Sequence, residues 1–131
     1  MGRFLSVILN NLNKVKIYTQ ALIIDDDPDL CMLLKAMLSK YIPDVRFVLS
    51  LEASKKLLVD IQPDIIFLDN NLPNGKGITF LIELKTLTPS AKLIMISAMA
   101  GLKKQALENG ADVFIEKPLT EFNVKKALEG N

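Results

Sequence analysis

Leu22-Ile23-Ile24-Asp25-Asp26-Asp27-Pro28 and Ile65-Ile66-Phe67-Leu68-Asp69 share one plan, an unbroken apolar run that ends abruptly on aspartate. Apolar residues without alternation suit a strand covered on both faces, as in the middle of a parallel sheet. Working outward, five apolar runs alternate with five helix-like stretches. The runs are Ala21 to Ile24, Val45 to Leu49, Asp64 to Leu68, Lys92 to Ile96 and Asp112 to Ile115. That order is the signature of an α/β domain with a parallel sheet, the first and third strands at its centre.

The stretches between the runs carry helix signals. Leu30, Leu33, Leu34, Met37, Leu38 and Tyr41 recur at three- and four-residue steps, with Pro28 suited to the first turn and Asp27 to the cap. A second helix follows Ser50, carries Leu51, Leu57, Leu58 and Ile61, and stops before Pro63. A third runs from Ile78 to Leu87 and ends at Thr88-Pro89. A fourth covers Leu102 to Asn109 with Gly110 as its stop, and Thr120 caps a fifth.

The chain has 131 residues, half of them hydrophobic, which suits one domain and leaves no room for a second. Residues 1–19 read as an extension and 20–131 as the domain. A net charge of +1 gives no electrostatic case for nucleic acid or an anionic membrane. The apolar run from Phe4 to Leu9 is too short to span a bilayer, and Met1-Gly2 followed by Ser6 is a weak match to a lipidation pattern. Cys31 is the one cysteine and histidine is absent, so neither an internal disulfide nor a cysteine–histidine zinc site can form. A reduced, cytoplasmic setting follows as the expectation, with Cys31 as a small buried hydrophobe. Any phosphohistidine must belong to another molecule.

In a parallel sheet, ligands bind beyond the carboxyl ends of the strands. Those ends carry Asp25-Asp26-Asp27, Asp69, Ser97-Ala98 and Lys117-Pro118. Carboxylates gathered by a fold repel one another unless a cation lies between them. Oxygen ligands of this kind suit magnesium, with manganese able to substitute. A carboxylate at such a site can attack phosphorus and form an aspartyl phosphate, while Lys117 supplies positive charge and Ser97 a hydrogen bond to the transferring group.

Read together, Ile24-Asp25-Asp26-Asp27-Pro28, Leu68-Asp69-Asn70-Asn71-Leu72-Pro73 with Gly77, Ile96-Ser97-Ala98, and Gly110-Ala111-Asp112 leading to Phe114-Ile115-Glu116-Lys117-Pro118 resemble, in order, the receiver domain of two-component response regulators. The resemblance spans residues 20 to 129. It implies a single doubly wound, flavodoxin-like (βα)5 domain whose parallel sheet has the order 2-1-3-4-5. It also implies Asp69 as phosphoacceptor, Asp26 and Asp69 as carboxylate metal ligands, Asn71 as a ligand through its backbone carbonyl, and Asp25 acting through metal-bound water. Lys117 would hold a phosphoryl oxygen, Ser97 would close on another, and the Ala98 amide would assist. Ser97 and Phe114 would form the switch pair, although a strand phenylalanine is more often simply core. The implied phosphodonor is a histidine kinase or histidine phosphotransfer protein. The implied output is a protein-interaction surface, with a homodimer compatible and no direct nucleic-acid or membrane binding.

Two readings of other classes compete: a receiver-like interaction module that signals without phosphorylation, and a phosphatase with Asp25 as nucleophile in an Asp-x-Asp pair with Asp27. The chain departs from the receiver pattern at Lys76, where an acidic residue is common, and between Ser97 and Gly110, an interval about two residues short. Met95, Ile96 and Met99 read as packing residues.

Overall fold

The computed structural model describes residues 17–72 and 75–129, together with Gly2. Residues 3–16 of the extension expected over 1–19, Met1 and Ser6 of the lipidation pattern, and Pro73 of the receiver-like motif lie outside these residues. Five parallel strands form one sheet: β1 (Gln20–Ile24), β2 (Asp44–Val48), β3 (Ile65–Asp69), β4 (Lys92–Ser97) and β5 (Val113–Glu116). Their spatial order is β2-β1-β3-β4-β5, so the expected topology is found. The helices are α1 (Pro28–Leu38), α2 (Leu51–Leu57), α3 (Gly77–Leu87), α4 (Lys103–Glu108) and α5 (Glu121–Ala127). A small antiparallel ribbon, Asn71–Leu72 against Gly75–Lys76, stands outside the main sheet.

The two motifs quoted first occupy the middle of the sheet, and every residue of β3 is buried. Alternate residues of the central strands feed two separate cores, as the period-two geometry of a strand requires. Ile23, Phe67, Ile94 and Ile96 pack with Leu34 and Leu38 of α1 and Val124 and Ala127 of α5. Leu22, Ile24, Ile66, Leu68 and Met95 pack with Leu81 and Leu84 of α3 and Ala106 of α4. Tyr18 is 2% exposed and belongs to the first core, so the packed domain begins ahead of β1.

Local capping agrees with the sequence. The Asp27 carboxylate accepts the N–H groups of Asp29 and Leu30 at the start of α1, Ser50 caps α2, and Thr120 forms a capping box with Asn123 on α5. Gly110 follows α4 with φ +115°, a conformation open chiefly to glycine. Among the described residues no helix is long and apolar enough to cross a membrane.

Several expectations need correction. Met99 is exposed while Met95 and Ile96 are buried; Met99 follows the strand end, and the other two enter opposite cores. The apolar stripe of α1 is narrower than expected: Leu33 is exposed, Tyr41 lies past the end of the helix and is exposed, and Cys31, Leu34 and Leu38 are buried with Met37 partly buried beside them. Cys31 is buried, as expected. Helix α2 ends at Leu57 rather than near Pro63, and α4 keeps six residues after a 3-10 turn at Ala100–Leu102.

Leu34 and Leu33 are adjacent in sequence and face different environments. Leu34→Ala should cost about 3 kcal/mol of unfolding free energy, and Leu33→Ala less than about 1 kcal/mol, as measured by urea denaturation.

Candidate functional site

Four strand ends build the rim. β1 runs into Asp25, whose N–H bonds to the Val48 carbonyl at 3.1 Å, and β3 delivers Asp69. Asp25 and Asp69 are buried and Asp26 is exposed, and one carboxylate oxygen from each lies within 4.8 Å of the others. β5 leads into Lys117, whose Nζ stands 2.9 Å from Asp69 Oδ1. The backbone N–H of Lys117 bonds to the Ser97 carbonyl at 2.9 Å, so the lysine and the serine are set by the same pairing of β4 with β5. The Lys117–Pro118 peptide bond is cis.

Charge at the rim is unbalanced, with three carboxylates facing one ammonium. Burial, with the neighbouring charges of Asp69 and Asp26, pushes Asp25 up to about 6. The Asp27 N–H, 2.9 Å from Asp25 Oδ1, and the Lys117 charge pull the other way without cancelling the rise. Burial also pulls the Lys117 ammonium down, but its hydrogen bond to Asp69 and the three carboxylate charges outweigh this and leave it raised. A proton on Asp25 is a costly remedy for repulsion at neutral pH, whereas a divalent cation relieves it for all three groups. Oxygen donors alone, two of them buried, suit a hard cation such as calcium or magnesium.

The end of β3 at Asp69 is held by Asn70 and Gly77. Asn70 is 5% exposed. Its N–H bonds to the Ile96 carbonyl, its carbonyl accepts the Gly77 N–H at 3.0 Å, and its Oδ1 accepts the Ile78 N–H at 3.1 Å. A Cβ added to Gly77 would overlap the Asp69 carbonyl oxygen and stand 3.0 Å from Asn70 Cα. Gly77 therefore lets the first turn of α3 pack directly on the Asp69 backbone. The only signal in the sequence was Gly77 at its interval from Asp69, which carries no reason by itself.

Ser97 is buried at the end of β4, and its Oγ accepts the Met99 N–H at 3.0 Å. Ala98 is exposed at the rim. Phe114 is half-buried, pairs in register with Met95 and packs on the second core, on the sheet face that Ser97 shares. Asn71 is exposed and lies opposite Lys76 in the small ribbon. Asp25, Asp26, Asp69, Ser97, Ala98 and Lys117 thus fall at the strand ends and Phe114 on the strand leading to Lys117, whereas Asn71 lies in the small ribbon after β3.

A doubly wound α/β domain with a carboxylate cluster and a lysine at its strand ends is a distinct class of protein. The response regulator receiver domain model matches residues 21–129. The chemotaxis protein CheY of Listeria monocytogenes is 35% identical over 115 residues, covering 82% of this chain and 93% of that protein. CheY of Thermotoga maritima is 33% identical over 113 residues, covering 83% and 93%. A crystallised response regulator from Burkholderia pseudomallei, with a phosphorylated aspartic acid, a calcium ion and citrate, matches with TM-score 0.76 at 26% identity, over 84% of this chain and 66% of that one. The chain belongs to the response regulator receiver domain family of two-component signalling, whose members are phosphorylated on aspartate.

Because Asp25 is raised to about 6 in the folded protein, above the ordinary carboxyl value of about 3.9, folding takes up a proton between these values. Its contribution to the stability of the metal-free protein is full at low pH and fades as pH rises through about 6. Cation binding, which needs the carboxylate, has the opposite sign. Divalent-cation affinity should fall about tenfold between pH 7 and pH 5 by calorimetric titration, and Asp25→Asn should flatten most of that dependence. Gly77→Ala should lower unfolding free energy by about 2 kcal/mol in urea and weaken cation binding with it.

Proposed function

We propose that Asp69 is the phosphoacceptor of this receiver domain, taking its phosphoryl group from the phosphohistidine of a histidine kinase or histidine phosphotransfer protein. The observation that carries this reading is the double membership of Asp69. It alone belongs to the carboxylate cluster and also pairs with Lys117, 2.9 Å away, at the end of a fully buried strand. Asp25 and Asp26 share the cluster without an ion pair to Lys117, and Asp26 is exposed, which suits an auxiliary role for both.

A carboxylate oxygen of Asp69 attacks phosphorus, the bond from phosphorus to the donor nitrogen breaks, and the donor imidazole leaves with the electron pair and takes a proton. Lys117 then exchanges its Asp69 partner for an oxygen of the transferred group, keeping its charge paired throughout. Ser97 Oγ already accepts from Met99 N–H, so its own O–H is left to donate to a second phosphoryl oxygen, and the Ala98 amide assists. Asp26, Asp69 and the Asn71 backbone carbonyl would hold magnesium, with Asp25 acting through water. The bound cation, for which manganese can substitute, supplies neutralising charge to the phosphoryl oxygens. The chain catalyses only its own phosphorylation and its return by hydrolysis, in the cytoplasm.

Phosphorylation acts by population shift: the state with Ser97 drawn onto the phosphoryl group and Phe114 moved inward becomes favoured, and a surface presented to a protein partner changes. The shared sheet face of Ser97 and Phe114 supports this coupling. Lys76, beside the acceptor loop, tunes the rim charge only modestly.

Intact mass after incubation with acetyl phosphate and magnesium should show the gain of one phosphoryl group, absent in Asp69→Ala and absent without metal. No gain from acetyl phosphate or from a phosphorylated kinase would overturn the reading. Phe114→Ala should keep the rate of phosphorylation within about threefold while weakening the conformational response, and loss of phosphorylation itself would contradict the assigned switch role. Lys76→Asp should change magnesium affinity by less than about tenfold, as read by titration.

A further inference from the structure

We infer that Asn109 is a positioning residue that ties the fourth helix to the acceptor loop, giving Asp69 a second mechanical route to α4 besides Ser97 and Phe114. This inference rests on Asp69 being the phosphoacceptor.

Ile78, in the first turn of α3, is gripped at both ends of its backbone. Its N–H donates to Asn70 Oδ1 at 3.1 Å, and its carbonyl accepts from Asn109 Nδ2 at 2.7 Å. Asn70 directly follows Asp69, and Asn109 caps the carboxyl end of α4. The connection therefore runs from the acceptor strand through two side-chain amides and one residue to the end of another helix. Little slack is available along it, because Gly77 seats the start of α3 against the Asp69 backbone.

Helix α4 has few other holds. It keeps six residues, of which only Ala106 is fully buried. No side chain caps its amino end, and Leu102, the residue ahead of it, joins it to a 3-10 turn. That turn follows Met99, whose N–H binds Ser97 Oγ. The short helix is thus tethered at one end to the hydroxyl proposed to close on the phosphoryl group, and at the other to the residue beside the acceptor. A shift of Asn70 as Asp69 takes up its group pulls on Ile78 and, through Asn109, on the carboxyl end of α4. A helix this short resists such a pull weakly.

Asn109→Leu removes the donor at similar size. Asn109→Ser, whose shorter side chain falls short of the Ile78 carbonyl, is the second variant should the leucine disturb folding. The readout is amide hydrogen exchange over residues 100–110, with and without beryllofluoride and magnesium, alongside fluorine NMR to measure occupancy of the acceptor site. The expected result is unchanged beryllofluoride occupancy, an unchanged response along β5, and at least a twofold smaller response over α4. A response over α4 equal to that of the parent protein would overturn the tether. Absence of beryllofluoride binding in the parent protein would instead overturn the assignment of Asp69, so the two failures are distinguishable.

Discussion

Mutual repulsion among Asp25, Asp26 and Asp69 is the constraint on which the rest of the structure turns. Nothing in a stable fold favours three carboxylates with oxygens inside 4.8 Å, two of them buried, opposite a single ammonium. Burial of polar charge without full compensation costs stability, and the cost shows in the raised proton affinity of Asp25. The sheet supplies what is needed to sustain it. β1 and β3 are adjacent, parallel and in register from Ala21 with Ile65 to Ile24 with Leu68, so their ends deliver the aspartates to one level. Two apolar cores on opposite faces hold that register against the repulsion.

The hold on the end of β3 follows from the same need. Asp69 must keep its place among the clustered carboxylates and opposite Lys117. Asn70 answers this with three hydrogen bonds, and Gly77 with a packing distance that no side chain permits. The amino side of the rim is firm as well, since Asp27 turns the chain into α1 by capping it. By contrast, the segment after Ser97 is lightly held: Met99 is exposed and α4 is short. A firmly held strand end, linked through Asn70, Ile78 and Asn109 to a lightly held helix, is an arrangement through which the proposed phosphorylation can become a change of surface.

Most of this was legible in the sequence, because the informative features are local. Unbroken apolar runs mark β1 and β3 as central, and an aspartate directly after each places it at the rim. Asp27 before Pro28 and Gly110 after the fourth helix are punctuation with a backbone reason. The less legible features depend on contacts between distant segments. Leu33 and Tyr41 fit the helical period, yet α1 ends at Leu38 and its packed stripe runs through Cys31, Leu34 and Leu38 with Met37 partly buried beside them. Met99 follows two packed residues but stands past the end of the strand, where alternation no longer decides burial. Asn70 and Asn109 look like ordinary loop asparagines until the fold brings both to Ile78.

On the proposed reading Asp69, and no other aspartate, carries the phosphoryl group. Reducing the phosphorylated protein with borohydride converts an acyl phosphate to an alcohol, leaving homoserine in place of the modified aspartate, and peptide mass spectrometry then locates it. Homoserine is expected at position 69 alone. Homoserine at position 25 or 26, with position 69 unmodified, would contradict it.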